Sequence, residues 1–528
     1  MTTTTAEQDT TSSQPFSLWE AALLSLITLV GGTIRYHVFL VTQHIDYDST
    51  FRIGDAVTHS ANPFHLLEIA GFSFANTGAT KGFYFLNALL IHFYGEPILT
   101  TKLVSVIPGV LVLIPMYFWL RMVFDRLTAI GGTAALALYL PHIAASGVPG
   151  AFPGMIFFLA LAGFLVEKTA RSQSGFLQWP WLFLAALATV GATAFRVEGW
   201  LLPFLFSWCL WKRIDWKKIV FFFLLASGYI LYQHHLDSQT QADTIRFFVR
   251  FKNFFSRQVA DGIPVATTPF DDLSSRWVVY LQMLCSQVTI LTLILSFFGV
   301  GLVIKQKVHD RVFATGFMIT LVVLTARGLI SGHTTYERYS LTIGFFALPL
   351  AFVAIGWILD HWIPQKFRHR FLKGVGVVVL IGLISVALVI GLPKRIQCMK
   401  FNSAEFELID WIIEDASPGD FYIINAPIEI IAYGLAQRLF DTYSFPQHQA
   451  IPDKLAENDP LLQKMWLLGK QILILTQPGK QAPLKRVRVI RFTDEEFDQV
   501  IENNPDRYQL LFKSKLFIVF APNEVPTL

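Results

Sequence analysis

Residues 98–121 read ILTTKLVSVIPGVLVLIPMYFWLR, an apolar run whose only charges are Lys102 near its start and Arg121 at its end. The run exceeds the ~20 residues that a helix needs to cross the ~30 Å hydrocarbon core of a bilayer, so it reads as a membrane span. Outward from it, comparable runs recur at 17–40, 127–145, 151–168, 179–196, 198–213, 217–235, 277–304, 311–330, 340–360 and 372–393, which makes eleven predicted spans. Gly82–Tyr94 is apolar but too short to cross alone, and reads as an interfacial or re-entrant helix. Apolar residues make up 53% of the chain, charged residues 15%, and Phe occurs 48 times. Soluble domains carry about 25% charge, so the main solvent of this chain is lipid. The Thr/Ser-rich tail 1–16 has no basic residue and no small-residue cleavage site. It is expected to be a disordered cytoplasmic tail, and the run after it a retained span rather than a signal peptide.

The basic residues follow an order. Arg121 and Arg126, then Lys168 and Arg171, then Lys212, Arg213, Lys217 and Lys218 fall in alternate connections. Lys305, Lys307 and Arg311 continue the series, and Lys366, Arg368, Arg370 and Lys373 complete it. Basic residues concentrate in loops that stay cytoplasmic, which predicts a cytoplasmic N-terminus and an extracytoplasmic C-terminus. The net charge of +4 is small and gives no reason to expect a nucleic-acid partner. The three cysteines form neither a disulfide framework nor a Cys/His zinc pattern.

Three segments on the predicted external side are too long or too polar to be plain connectors: 41–81, 234–276 and everything after 393. The last, about 130 residues, has the size of a small domain. β-rich runs at Phe421–Asn425, Gln471–Thr476, Val487–Phe492 and Leu516–Phe520 alternate with amphipathic patterns at Ala404–Ala416 and Asp494–Asn503. The expected architecture is an all-α polytopic membrane domain over 17–393, followed by a small extracytoplasmic α/β domain over 394–528. That second domain carries no phosphate loop and reads as a lid or recognition module.

Four polar clusters fall on the external side. Asp46-Tyr47-Asp48 stands just beyond the first span, with Arg52 following. A carboxylate there can act as a general base, two acids one residue apart can share a divalent cation such as Mg or Mn, and a solvated loop start is the plain alternative. Arg196 and Glu198 join two predicted spans, where they either pair with each other, snorkel to the interface or hold a ligand. Glu337, Arg338 and Tyr339 open the tenth span, as an interfacial anchor or as a phosphate contact. In the second long loop, Phe248, Phe251 and Phe255 share one helical face while Arg246, Arg250 and Arg257 fall roughly on another. This is the pattern of a basic helix lying in the lipid interface.

These features together resemble the GT-C superfamily of membrane glycosyltransferases, specifically its family-39-like, polyprenyl-phosphate-sugar-dependent members. Asp46 to Arg52 is similar to the acidic motif of their first external loop. Gly82-Phe83-Tyr84-Phe85-Leu86, Phe93-Tyr94-Gly95 and Thr101-Lys102-Leu103 resemble the stretch before their second span. Phe195 to Gly199 resembles an Arg-x-Glu-Gly turn, and Arg338-Tyr339 with Pro349 resembles the start of a late span. Gly78-Ala79-Thr80-Lys81 replaces a common His-Pro-Pro stretch, with Lys81 as a substitute charge, and no Trp-Trp-Asp motif of oligosaccharyltransferases is found.

The resemblance implies inverting hexosyl or pentosyl transfer at the extracytoplasmic face, from a sugar donor on a polyprenyl phosphate that its lipid presents from within the membrane. Asp46 or Asp48 would be the base, with Arg338, Arg196, Lys81 and Arg52 on the donor phosphate and Glu198, Glu337 and Tyr339 in support. The acceptor is an unidentified glycan, lipid or protein, and the expected location is a multi-pass cell membrane of the bacterial inner-membrane kind. The competing readings are a transporter or flippase of a lipid-linked or anionic substrate, for which no internal repeat is found, and a non-catalytic membrane assembly protein.

Overall fold

A computed structural model of the 528-residue chain describes residues 16–42, 53, 56–57, 59–68, 80–172, 175–211, 213–240, 273–305, 311–331, 340–362, 402–415, 417, 420–425, 471–474 and 486–523. Helix α1 (Leu18–Val41) begins with a capping box, in which Ser17 Oγ accepts from the Glu20 N–H and Glu20 Oε2 accepts from the Ser17 N–H. Helix α2 (His65–Glu68) is one short turn in the first long loop, and α3 (Lys81–Tyr94) ends on Gly95 in the left-handed region, φ 78°. Helices α4 (Pro97–Leu111) and α5 (Leu113–Val123) together make one span of 27 residues. Helices α6 (Arg126–Ala137) and α7 (Leu140–Gly147) form a pair bent by 48°.

Arg35 explains how that bend persists inside the bundle. Its buried guanidinium donates to the carbonyls of Gly31 (3.0 Å), Ala137 (2.7 Å) and Leu136 (3.1 Å), so it caps the broken end of α6. A second contact runs to His142 Nδ1 at 2.8 Å. Arginine has no acceptor, so Nδ1 accepts and the His142 proton sits on Nε2. The negative end of the α6 dipole offsets the arginine charge at this site.

Helices α8 (Phe152–Arg171) and α9 (Gly175–Phe195) pack along their lengths as an antiparallel pair. A 3-10 turn (Val197–Leu201) and the nine-residue helix α10 (Leu202–Leu210) follow, then α11 (Trp216–Thr240). The expected span at 198–213 is therefore corrected: α10 rises only about 14 Å, far short of the hydrocarbon core. The run 277–304, expected as one span, is also corrected. It divides into α12 (Leu273–Val288) and α13 (Ile290–Lys305) at Thr289, whose φ of 61° ends one helix while its hydroxyl caps the next. Helices α14 (Val312–Ser331) and α15 (Ser340–Trp362) complete the described bundle. Among the described residues five helices are long and apolar enough to cross a membrane, or six if the bent pair counts as one span. The run 372–393 lies outside the described residues.

One end of the bundle is closed by two buried carboxylates. Glu20 accepts from Tyr117 (2.9 Å), Arg121 (3.0 Å) and Arg126 (2.8 Å), which ties the start of α1 to α5 and α6. Glu167 accepts from Arg171 (2.6 Å) and, through both oxygens, from Arg213 (2.8 and 2.9 Å). Arg171 also donates to the Met122 carbonyl, joining the two clusters. The basic connections near 121–126, 168–171 and 213 thus share one end of the bundle with the start of α1.

The C-terminal part contains α16 (Ser403–Asp415), β1 (Asp420–Asn425), β2 (Gln471–Ile474), β3 (Arg486–Phe492), α17 (Glu495–Glu502), β4 (Tyr508–Lys513) and β5 (Phe517–Pro522). The strand order is β2-β1-β3-β5-β4, with β1 and β3 parallel and the other pairs antiparallel. Arg486 grips Asp420 with two bonds (2.8 and 2.6 Å), and Arg488 reaches Asp415 at 2.9 Å, which fixes β3 against β1 and α16. These carboxylates hold the Arg486 guanidinium in its charged form. Strand β4 was not expected from the sequence; it is an edge strand with Gln509 and Leu510 exposed.

Candidate functional site

At the end of α9 opposite to the Glu167 cluster, the N-terminus of α3 is sewn onto the last turn of α9. The Thr80 N–H donates to the Phe195 carbonyl at 3.1 Å, and Thr80 Oγ1 donates to the Thr193 carbonyl at 3.0 Å and reaches that of Ala194. The Gly82 N–H donates to Tyr229 Oη at 3.2 Å, bringing in α11. This seam places the next residues of each strand of contact, Lys81 and Arg196, at one corner of the bundle. Both side chains are fully buried.

Arg196 is held on three sides. Its Nε donates to Glu198 Oε2 at 2.8 Å and its Nη2 to Glu198 Oε1 at 2.7 Å, while the guanidinium plane lies 3.7 Å from the centre of the Phe152 ring on α8. The bidentate bond spans two residues, across the start of the 3-10 turn that follows. Mutual pairing, one of the three sequence alternatives for these residues, is present in the structure. The Glu198 side chain remains 25% exposed, so the pair presents its carboxylate outward and its cation inward. Lys81 occupies the first turn of α3, where the helix dipole is positive. Among the described residues the corner brings together two cations, the Glu198 carboxylate and a helix N-terminus, whose backbone N–H groups suit an anion.

Two glycines make the seam possible. A Cβ on Gly82 would lie 2.7 Å from the Ala194 carbonyl oxygen, and one on Gly199 would lie 2.7 Å from that of Ala192. Backbone cannot yield as a flexible side chain does, so Gly199→Ala is expected to push the turn away from α9 and cost about 1–3 kcal/mol. A lowered thermal midpoint of the purified variant checks this; an unchanged midpoint would show that the turn is not packed so closely.

Lys102 prepares the approach from the first long loop. Its Nζ donates to the carbonyls of Phe39 and Thr42, both at 2.7 Å, and so caps the last turn of α1 where the chain leaves toward Asp46 and Asp48. Further along, Ile53, Ala56 and Val57 are buried. The Ser60 carbonyl meets His92 Nδ1 of α3 at 2.8 Å, and Tyr232 of α11 donates to the Leu67 carbonyl at 2.9 Å. The first loop is thus fastened to α3 and α11, the two helices that meet at Gly82 and Tyr229.

Of the residues singled out in the sequence, the structure brings together Lys81, Arg196 and Glu198. Asp46, Asp48, Arg52, Arg246, Arg250, Arg257, Glu337, Arg338 and Tyr339 lie outside the described residues. Among the described residues no group of three or more His, Cys, Asp or Glu side chains could hold a metal ion. Sequence reasoning missed Thr80, Tyr229 and Phe152. Thr80 adjoins a charge that was noticed; Tyr229 and Phe152 sit in apolar runs and carry no local signal.

No protein-family model matches the sequence, and no curated relative matches it. Solved structures do match. ArnT from Cupriavidus metallidurans bound to undecaprenyl phosphate aligns with a TM-score of 0.57 over 95% of this chain and 98% of its own, at 11% identity. The archaeal oligosaccharyltransferase AglB from Archaeoglobus fulgidus, in complex with an inhibitory peptide and a dolichol-phosphate, aligns with a TM-score of 0.53 at 11% identity. The fold is GT-C-like. The match to AglB covers 80% of this chain and 64% of AglB, so the chain spans about two-thirds of that protein's length. The match to ArnT runs nearly end to end.

Proposed function

We propose that the protein is an integral-membrane glycosyltransferase that moves a sugar from a polyprenyl-phosphate donor to an acceptor hydroxyl. The observation that carries this reading is the buried cationic corner of Lys81 and Arg196 at the N-terminus of α3. The GT-C-like fold supports it, since the ArnT structure was solved with undecaprenyl phosphate and the AglB structure with a dolichol-phosphate.

In this reading the acceptor oxygen attacks the anomeric carbon as Asp46 or Asp48 takes its proton. The bond from that carbon to the phosphate oxygen breaks, and the polyprenyl phosphate departs with the electron pair, inverting the anomeric centre. Lys81 is the point charge on the departing phosphate, with Arg338 and Arg52 as further partners. Arg196 already spends two nitrogens on Glu198, so its part is to shape the corner and add field. Glu337 and Tyr339 support Arg338, and Arg246, Arg250 and Arg257 lie along the lipid headgroups. The gathering of basic connections at the opposite end of α9 supports a reading in which the corner faces the extracytoplasmic side and the N-terminus is cytoplasmic.

The test is turnover by purified protein in lipid with a panel of polyprenyl-phosphate sugars. Release of polyprenyl phosphate from one member of the panel, with an acceptor or with water, is expected. Failure to bind or cleave any member, by protein shown to be folded, would count against the transferase reading and favour transport.

A further inference from the structure

The bundle end that carries Glu167 has a surface that the transfer reaction does not use. Between Glu167 and Gln178, and between Ser207 and Lys218, the sequence carries six basic residues and two acids. Glu167 engages Arg171 and Arg213, and the Asp215 carboxylate accepts from the Lys217 backbone N–H at 3.0 Å. Lys168, Lys217 and Lys218 stand outside the Glu167 cluster. Lys168 Nζ lies 5.7 Å from the Trp181 ring centre and Lys218 Nζ lies 5.8 Å from that of Trp179. Lys218 also donates to the Gly175 carbonyl (3.2 Å) and to Gln178 Oε1 (2.5 Å), which holds its ammonium at the start of α9. Around these lysines Trp179, Trp216 and Phe176 are exposed by 41%, 64% and 81%.

Exposed tryptophans at helix ends mark the headgroup level of a bilayer, where an indole has one apolar and one wet edge. Helix α9 has 21 residues, so its start lies about 30 Å from the Lys81 corner, one hydrocarbon thickness away. The lysines are thus at the depth of lipid phosphates in the leaflet opposite to the proposed active corner. We propose that this end of the bundle binds anionic phospholipid headgroups on both sides of α9, through Lys217 and Lys218 beside Trp179 and Trp216 on one side and Lys168 beside Trp181 on the other. A zwitterionic lipid carries its own cation beside the phosphate and leaves the lysines uncompensated; an anionic lipid does not. The inference rests on the span geometry and not on the transferase reading.

The experiment is native mass spectrometry of the full-length protein released from nanodiscs of equal phosphatidylglycerol and phosphatidylcholine, counting the lipids each protein retains. The native protein is expected to retain phosphatidylglycerol preferentially. Lys168→Gln/Lys217→Gln, which leaves the Lys218 bonds to Gly175 and Gln178 intact, is expected to lower that preference by about fivefold per lysine. Adding Lys218→Gln removes the remainder, and arginine at all three positions retains it. Equal retention of the two lipids by the native protein would overturn the proposal, as would an unchanged preference in the glutamine variants. Displacement of the retained lipid by inorganic phosphate would also overturn it, by assigning the lysines to a free anion.

Discussion

The double variant Asp46→Asn/Asp48→Asn is expected to lose sugar transfer while still binding the donor. Asparagine keeps the size of aspartate but cannot accept the acceptor's proton, and a positioned general base contributes roughly 10²–10⁴-fold to a rate. In the proposed reading cations and not carboxylates hold the donor phosphate, so its affinity is expected to change little. The two single variants separate the roles: the one that falls as far as the double variant carries the base. Single-turnover cleavage of a labelled donor, alongside a direct binding measurement, reads both quantities. Full transfer by the double variant would show that neither carboxylate takes the proton.

The second large effect concerns Lys81. Lys81→Gln removes a charge from a fully buried position at a helix N-terminus, where low dielectric magnifies its interaction with a departing phosphate. Losing one such group costs about 3–4 kcal/mol of transition-state stabilisation, so kcat/KM is expected to fall roughly 10²–10³-fold. Lys81→Arg is expected to retain part of the activity, because the charge stays but its geometry changes. Arg196 behaves differently. Arg196→Gln leaves the Glu198 carboxylate without its bidentate partner, whereas Arg196→Gln/Glu198→Gln removes both charges together. A milder defect in the double variant than in Arg196→Gln alone marks Arg196 as a shaping residue. A Lys81→Gln variant with undiminished kcat/KM would remove Lys81 from the phosphate site.

Hydropathy made the long helices legible: the runs at 17–40, 98–121, 151–168, 179–196 and 340–360 all appear as helices long enough to span. It could not see the break at Thr289, because a left-handed residue between two apolar stretches leaves no mark on hydropathy. Nor could it see the 3-10 turn Val197–Leu201 and the short helix Leu202–Leu210 within the run 198–213, because both elements are as apolar as a span. Arg35 drew no attention within the first run, and two of its acceptors, the Leu136 and Ala137 carbonyls, are exposed only because α6 breaks. In the C-terminal sheet, β3 announced itself by β-branched residues and β5 by an apolar run, whereas edge strand β4 carries too weak a pattern. The charges of the candidate corner were readable one by one. Their convergence was not, because it depends on Thr80 meeting the end of α9, a contact between residues more than a hundred positions apart.

The most direct test of the account is a structure of the purified protein with polyprenyl phosphate bound. The lipid phosphate is expected within hydrogen-bond distance of Lys81 Nζ, at the seam between α3 and the 3-10 turn, with Arg196 still paired to Glu198. A phosphate bound away from this corner, in protein that transfers sugar from the same lipid, would contradict it.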